Sequence, residues 1–481
     1  MRAAEETAFS AGVTADGLME QAGRGLARAV TKFFPVPGRC LVFAGKGHNA
    51  GDALVAARWL AGSGWEIDVQ LVFSKDELSA LTTQKLRELE KVPAVKNDGP
   101  TIILDGLLGL GAHPPLRDPI RSACRRINSL GKRAAYVFAI DLPSGLDGDS
   151  GETDPDCVVA DFTVTIAAAK KGLVADSALD HVGRLEVVLL DQLTPSAADL
   201  GAELAIPETL APLLHRRNFS AYKNQFGRIG IVAGSRSLTG AAILCSLGAL
   251  RAGAGLVEVF VPETIYELIA SAAPPETMVK PLHSDGELLE KPVDVWAIGP
   301  GLGRDRAAGI LKLIQEASQP MVVDADGLNM LSAKMETLQR ARGPRLLTPH
   351  PGEMKRLTPN ENGTRSEMAT RFCQRYEVTL LLKGSRTIVA QANCPLSHNS
   401  TGNPGMATGG MGDVLTGVCG ALLGAKLTPY DAARVGAWVC GRAAELAIFR
   451  GEASEESLLP RDLLDHLGAA FRELHAASLG G

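Results

Sequence analysis

Short apolar stretches alternate with amphipathic helical segments in two separate runs, and this pattern constrains the fold more than any other feature. The first run contains apolar stretches at 41–44, 67–73, 102–105, 136–141, 161–167 and 184–190. The second begins with a strand at 228–233 and closes with two helices that begin near 413 and 429. Alternation of this kind indicates a mostly parallel sheet covered on both faces, so each run predicts an α/β domain.

The stretch between the two runs, at 194–213, is rich in proline and alanine, and its pattern predicts no strand. The chain has 481 residues, which is more than one ordinary core organises. We therefore expect two domains, residues 1–208 and residues 209–481.

Composition excludes several classes of partner. The net charge is −5, so no basic field is available to bind a nucleic-acid backbone. The eight cysteines contain no CxxC pair, which favours a reducing compartment over a zinc ribbon or a disulfide scaffold. No apolar run reaches ~18 residues, so we expect no membrane span. We expect a cytoplasmic protein without nucleic-acid or membrane partners, associated as a homo-oligomer.

A glycine-rich turn at 403–413 leads directly into an apolar helix. Gly409, Gly410 and Gly412 allow backbone N–H groups to converge beside the positive end of the helix, which predicts an anion site. A carboxylate at Asp413 would repel a bound phosphate, so it suits a base that deprotonates a hydroxyl attacking phosphorus. The alternative is a structural glycine turn with Asp413 as the helix N-cap.

Three more polar turns follow strands in the same run. They lie at 298–303, at 348–353 around His350, and at Lys383. Turns at the carboxyl ends of parallel strands gather at one edge of the sheet, where ligands of open α/β sheets bind. A single histidine such as His350 is more often structural, but four turns at one edge indicate a ligand site.

This half of the chain resembles the NAD(P)H-hydrate dehydratases, a branch of the ribokinase-like fold. The motifs that carry the resemblance lie at 234–242, 250–257, 299–303, 324–326, 348–353, 382–384 and 409–413. The resemblance implies dehydration of hydrated NADH or NADPH, driven by ADP or ATP together with magnesium, with Asp413 as the catalytic base. It implies that Lys383, Gly384, Ser385, Arg386, Thr387 and Gly412 bind the nucleotide, and that Ala241, Gly303, His350 and Asp413 bind the hydrate.

Oxygen-bearing side chains follow three strands of the first run. Asn49 and Asp52 lie in the glycine turn after the first strand, Asp105 follows another, and Asp141 and Ser144 follow a third. Oxygen ligands without histidine or thiolate suit a hard cation rather than zinc. The alternative is a set of turn carboxylates that only stabilise their own loops.

This half resembles the NAD(P)H-hydrate epimerases, which implies a Rossmann-like three-layer domain that interconverts the R and S hydrates. The resemblance rests on 18–23, 49–52, 105–111 and 141–145. It implies a potassium ion between Asn49, Asp105 and Ser144, and Asp141 as the acid/base, with Lys170 as a second candidate. The implied substrate-binding residues are His48, Asn49, Ala50, Gly51, Asp52, Gly109, Leu110, Gly111, Ala112, His113, Pro114, Pro115 and Asp141.

The first glycine turn departs from the pattern of the epimerases it resembles. Ala50 and Ala53 stand where those proteins have glycines, and His48 stands where they have asparagine. A β-carbon at Ala50 would crowd a pyrophosphate if that residue needs a positive φ, which predicts an altered epimerase. This departure supports the alternative that the first half binds its ligand without converting it. For the second half, the alternative is an ATP-dependent kinase of a small alcohol.

Overall fold

The structure of the chain is a computed structural model that describes residues 7–133, 135–190, 192–193, 201–303 and 305–477. Contacts divide the chain into two compact units, Met1–Leu200 and Gly201–Gly481. None of the helices in these ranges combines the length and the apolar composition that a membrane span requires.

The first unit is built on a six-stranded sheet in which every neighbouring pair of strands is parallel. The strands lie side by side in the order β2-β1-β3-β4-β5-β6. The elements are α1 (Ala15–Phe33), β1 (Arg39–Ala44), α2 (His48–Gly62), β2 (Glu66–Leu71), α3 (Ala80–Leu89), β3 (Thr101–Gly106), α4 (Ile120–Gly131), β4 (Ala135–Ile140), β5 (Phe162–Ile166), α5 (Leu179–Val182) and β6 (Arg184–Val188).

Helices cover both faces of this sheet. Successive strand residues point to opposite faces, and in β4 Val137 packs with Ile127 of α4 while Phe138 stacks on Phe162. Phe33 at the end of α1 lies 4.5 Å from Phe162, centroid to centroid, on the face opposite α4. The prediction of a parallel α/β unit is confirmed.

The second unit is built on a ten-stranded sheet in the order β10-β9-β8-β11-β12-β13-β14-β15-β16-β7. All pairs are parallel except those that β15 makes with β14 and β16. The elements are β7 (Ala202–Ala205), α6 (Pro207–Leu210), β8 (Arg228–Val232), α7 (Thr239–Arg251), β9 (Leu256–Pro262), α8 (Tyr266–Ala272), β10 (Thr277–Leu282), β11 (Val295–Ile298), α9 (Ala307–Glu316), β12 (Met321–Val323), α10 (Ala325–Ser332), α11 (Glu336–Gln339), β13 (Arg345–Leu347), α12 (Pro351–Leu357), α13 (Arg365–Tyr376), β14 (Thr379–Leu382), β15 (Ile388–Ala390), β16 (Leu396–Asn399), α14 (Met411–Gly424), α15 (Pro429–Phe449) and α16 (Pro460–Ala477).

Two glycines set the position of α14, the helix that carries Asp413. A β-carbon on Gly417 would lie 2.0 Å from the carbonyl oxygen of Cys245 in α7, and one on Gly248 would lie 2.4 Å from that of Val414. Backbones that approach this closely leave no room for a side chain at either glycine. The pair α7–α14 therefore packs backbone to backbone, which holds the start of α14 in a defined place.

Two sequence predictions about local structure were wrong. The stretch at 194–213, in which no strand was expected, contains strand β7, which pairs in parallel with β16. Four residues at a sheet edge are too short to show a strand pattern. Helix α2 begins at His48, with Gly47 as its N-cap, so the glycine turn expected around 49–52 is largely the first turn of this helix.

Candidate functional site

The site of the second unit begins at the amino end of α14. Gly410 is the N-cap, with φ of +93°, and Asp413 lies in the first turn of the helix. A left-handed φ at the cap requires glycine, so the turn at 409–413 folds as its sequence indicates. Burial and, to a lesser extent, the charge of Asp324 raise the pKa of the Asp413 carboxyl to about 7, and the charge of Lys383 opposes both effects.

Asp324 contacts both Lys383 and helix α14, which carries Asp413. The buried Asp324 carboxylate accepts hydrogen bonds from Lys383 Nζ at 2.6 Å and from Thr416 Oγ1 at 2.8 Å. Burial lowers the pKa of the Lys383 ammonium, but Asp324, Glu353 and Asp413 more than offset this effect and raise the pKa above its usual value. Lys383 therefore stays charged beside the first turn of α14.

The turn at 383–387 joins β14 to β15. Its shape is held by two contacts: Arg365 donates to the carbonyl of Ser385 at 2.9 Å, and Thr387 Oγ1 donates to the carbonyl of Gly384 at 3.1 Å. Gly384 has φ of +142° and Arg386 has φ of 52° with a buried side chain. This conformation presents backbone groups at the same sheet edge as Lys383.

His350 and Glu353 cap one another at the start of α12. His350 N–H donates to Glu353 Oε2 at 2.8 Å, and Gly352 N–H donates to His350 Nδ1 at 3.0 Å. Glu353 Oε2 also lies 4.0 Å from Lys383 Nζ. The His350 imidazole is half exposed, and its Nε2 lies 3.5 Å from Glu353 Oε1, so Glu353 and the cap together hold the ring in place.

The turn at 299–303 brings Ala241 and Gly303 to the same edge. A β-carbon on Gly301 would lie 2.9 Å from the Ala241 β-carbon, and Gly303 N–H donates to Asp326 Oδ2 at 2.9 Å. Asp326 stands two residues after Asp324, so this turn adjoins the Asp324 cluster. The structure thus gathers the predicted residues of this unit along the carboxyl ends of its strands. The motif at 324–326 predicts no role for Asp324, and the signal that could have identified this residue is its position directly after β12.

The first unit brings Asn49, Asp105 and Ser144 together. Asp105 is fully buried and accepts from Ser144 Oγ at 2.7 Å and Ser144 N–H at 2.8 Å. Leu108 links the three residues, since its carbonyl accepts from Asn49 at 2.7 Å and its N–H donates to Ser144 Oγ at 3.0 Å. Burial raises the pKa of Asp105 to about 6, against the hydrogen bonds from Ser144 and Leu107.

Asp141 and Lys170 form a buried ion pair. Asp141 Oδ1 accepts from Lys170 Nζ and from the N–H of Ile166 at 3.1 Å. Lys170 Nζ also donates to Thr165 Oγ1 at 3.0 Å and to the Ile166 carbonyl at 2.9 Å. Asp141 has φ of 65°, an uncommon conformation for a residue other than glycine. Lys170, expected from sequence to be the weaker candidate, is thus the direct partner of Asp141.

Ala50 does not have the positive φ on which the expected crowding depends. Ala50 lies in the first turn of α2 and is fully buried, and it is not among the residues with positive φ. Ala53 is likewise buried against Gly106. His48, Asn49, Gly51 and Asp52 share the amino-terminal turns of this helix.

The predicted substrate loop follows β3. Gly109 lies against Asn49, since a β-carbon on this glycine would be 3.3 Å from the Asn49 β-carbon. Farther along, His113 Nδ1 lies 2.5 Å from Asp147 Oδ2. The rest of the predicted set, Leu110, Gly111, Ala112, Pro114 and Pro115, lies in the exposed or half-exposed part of this loop.

Family models match both units. Residues 229–467 match the NAD(P)H-hydrate dehydratase family, and residues 15–172 match the family described as YjeF-related protein N-terminus. A bifunctional NAD(P)H-hydrate repair enzyme of Moorella thermoacetica is 35% identical to this chain, over 95% of the chain and 92% of that protein. The chain belongs to the bifunctional NAD(P)H-hydrate repair enzymes. The resemblance predicted from the sequence motifs is confirmed.

Further relatives extend this assignment. The bifunctional NAD(P)H-hydrate repair enzyme of Escherichia coli K12 is 36% identical, over 93% of this chain and 88% of that protein. The ADP/ATP-dependent NAD(P)H-hydrate dehydratase of Bacillus subtilis, crystallised with ATP and Mg²⁺, is 28% identical and superposes with a TM-score of 0.50 over 56% of this chain and 98% of its own. A ribokinase-like protein of Enterococcus faecalis is 26% identical, with a TM-score of 0.51 over 58% of this chain and 99% of its own. The ribokinase-like fold predicted for the second unit of this repair enzyme is confirmed.

Proposed function

We propose that the second unit dehydrates the S hydrate of NADH or NADPH at the expense of ADP, and that the first unit converts the R hydrate to the S hydrate. The observation that carries the proposal is the cluster Asp413–Asp324–Lys383, which places a carboxyl of raised pKa and an ammonium at a helix amino end. A helix amino end binds phosphate, and a carboxyl with a pKa near neutrality suits a general base.

The chemistry follows from poor and good leaving groups. Hydroxide leaves the hydrated ring poorly at neutral pH, whereas phosphate leaves well. Asp413 accepts the proton of the ring hydroxyl while the hydroxyl oxygen bonds to the terminal phosphorus of ADP. The bond between that phosphorus and the oxygen of the leaving AMP breaks. The ring nitrogen then expels the phosphate, the neighbouring carbon loses a proton, and the dihydronicotinamide is restored. ADP thereby yields AMP and phosphate; ATP in its place would yield ADP and phosphate.

Lys383 and the backbone of 383–387 would hold the nucleotide phosphates, with the N–H groups around Gly412 at the terminal one. Ala241, Gly303 and His350 would line the hydrate. Among the described residues no three carboxylate, histidine or cysteine side chains form a metal cluster. Magnesium binds largely through nucleotide phosphates and water, and it would there neutralise phosphoryl charge.

Residues of the first unit fit a potassium ion. Asp105 is buried without a cationic side chain against it among the residues that the structure describes, and Asn49 and Ser144 add neutral oxygens. A buried carboxylate is costly unless a positive charge accompanies it. Asn49, Asp105 and Ser144 would hold the ion, which would supply that charge beside the substrate helix α2.

Asp141 and Lys170 would serve as the acid/base pair of the epimerase. Inverting ring carbon 6 requires a bond to that carbon to break and re-form while a proton leaves one atom and returns. A carboxylate accepts this proton and an adjacent ammonium donates one, so the Asp141–Lys170 pair provides both groups in contact. The backbone of 48–52 and the loop at 109–115 would bind the dinucleotide.

Recovery of dihydronicotinamide absorbance tests the proposal. Purified protein with the S hydrate and ADP should restore the absorbance, which tests the second unit alone; ATP in place of ADP compares the two nucleotides. Full recovery from mixed epimers, compared with the variant Asp141→Ala, tests the first unit. A first unit that only binds its ligand would leave the R hydrate untouched, and a small-alcohol kinase would restore no absorbance from either epimer.

A further inference from the structure

The Asp324 side chain is directed away from its own helix. Asp324 is the N-cap of α10, but its carboxylate makes no hydrogen bond to that helix. Instead, each oxygen is used elsewhere: Oδ1 accepts from Lys383 at the end of β14, and Oδ2 accepts from Thr416 in α14. Capping α10 with this carboxylate would stabilise the helix, so its use elsewhere indicates another role.

The contacts of Asp324 with Lys383 and with Thr416 connect the end of β14 to helix α14. Thr416 lies three residues after Asp413, almost one turn along α14. A β-carbon on Gly412 would lie 3.2 Å from Lys383 Nζ and 3.4 Å from Asp324 Oδ2, so both charges sit directly against the first turn of the helix. Asp324 is only 1% exposed, so solvent screens these charges weakly.

We propose that Asp324 is a positioning residue of the dehydratase, which holds Lys383 and the first turn of α14 in register and acts through its negative charge on the Asp413 carboxyl. This inference rests on the proposed role of Asp413 as the base. Asp324 itself need not touch the substrate, because its effect passes through Lys383, Thr416 and the field at Asp413.

The charges that face Asp413 allow the sign of the effect to be worked out. Asp324 raises the pKa of Asp413 and Lys383 lowers it. Glu353 lies 4.0 Å from Lys383 Nζ, and the buried thiol of Cys245 in α7 has a pKa well above its usual value and stays neutral. Replacing Asp324 by asparagine removes a negative charge and leaves Lys383 less neutralised, and both changes lower the pKa of Asp413.

The experiment is the pH dependence of kcat/KM for the S hydrate with ADP, in the wild type and in Asp324→Asn. The wild-type rate should rise with pH through about 7, because the base must be ionised. In Asp324→Asn this rising limb of the pH–rate profile should move to lower pH by at least ~1 pH unit. The rate reached at the plateau above the limb should be lower, because the base is weaker. The matched control Glu353→Gln removes a charge that is not among those shifting the pKa of Asp413, so it should move the limb less.

A second variant gives the opposite sign. Lys383→Met removes a positive charge beside Asp413, so its limb should move to higher pH even though nucleotide binding also weakens. An unmoved limb in Asp324→Asn despite a lower rate, or a shift equal to that of Glu353→Gln, would overturn the inference. If Asp413→Asn keeps the limb, the role of Asp413 itself is wrong. A limb that is lost in Asp413→Asn but unmoved in Asp324→Asn overturns the inference alone.

Discussion

Asp413 should make the folded protein less stable above neutral pH, because a partly buried carboxylate is ionised there beside Asp324. The folded pKa is about 7 and the ordinary value is 3.8. Between these values the folded carboxyl holds a proton that the unfolded chain has lost, so stability falls as pH rises through this window. At about 1.4 kcal/mol for each tenfold change in proton affinity, the full effect is about 4 kcal/mol, and partial exposure of Asp413 reduces it to roughly 2–4 kcal/mol.

Asp413→Asn removes this titration. At pH 8 the variant should be more stable than the wild type by roughly 2–4 kcal/mol, and at pH 4 the two should differ little. For a unit of this size each kcal/mol corresponds to about 2–4 °C in Tm. The assay is calorimetric unfolding of both proteins at each pH, following the transition that ADP shifts upward, because two units can unfold separately. Equal differences in Tm at both pH values would refute the reasoning.

Three further predictions concern the first unit. Asp141→Ala should abolish recovery from the R hydrate while the rate with pure S hydrate stays unchanged; loss of both activities in the recovery assay would mean that the variant is misfolded or the assignment wrong. Replacing potassium by lithium should slow epimerisation several-fold and leave dehydration unchanged, as measured with mixed and pure epimers; equal slowing would place the ion elsewhere. Ala50→Gly should lower stability by about 1 kcal/mol without speeding epimerisation, because the residue is buried in a helix; a faster epimerase would show that the Ala50 β-carbon does obstruct the substrate.

The central strands and the polar turns at the sheet edges could be predicted from sequence because short apolar stretches and glycine turns are local signals. Strand β7 could not, since its four residues are defined by pairing with β16 almost two hundred positions away. Gly410 and Asp413 are only three positions apart in the sequence, so the turn at the start of α14 could be predicted. The link from Lys383 to Asp324 spans 59 positions, and no spacing rule encodes a contact between side chains of different loops.

The interpretation of Ala50 failed for a related reason. A glycine turn and the first turn of a helix differ only in where the N-cap falls, and the structure places the cap at Gly47. Alanine at position 50 then suits the helix, in which no positive φ is required.

Single-turnover kinetics of Asp413→Asn, alongside calorimetric titration with ADP, test the central claim most directly. The substitution keeps the shape of the side chain but removes the base that takes the hydroxyl proton. We expect the rate of dihydronicotinamide formation to fall by at least ~10²-fold while ADP affinity changes little. Near-wild-type turnover, or a loss of ADP affinity as large as the loss of rate, would contradict a base at position 413.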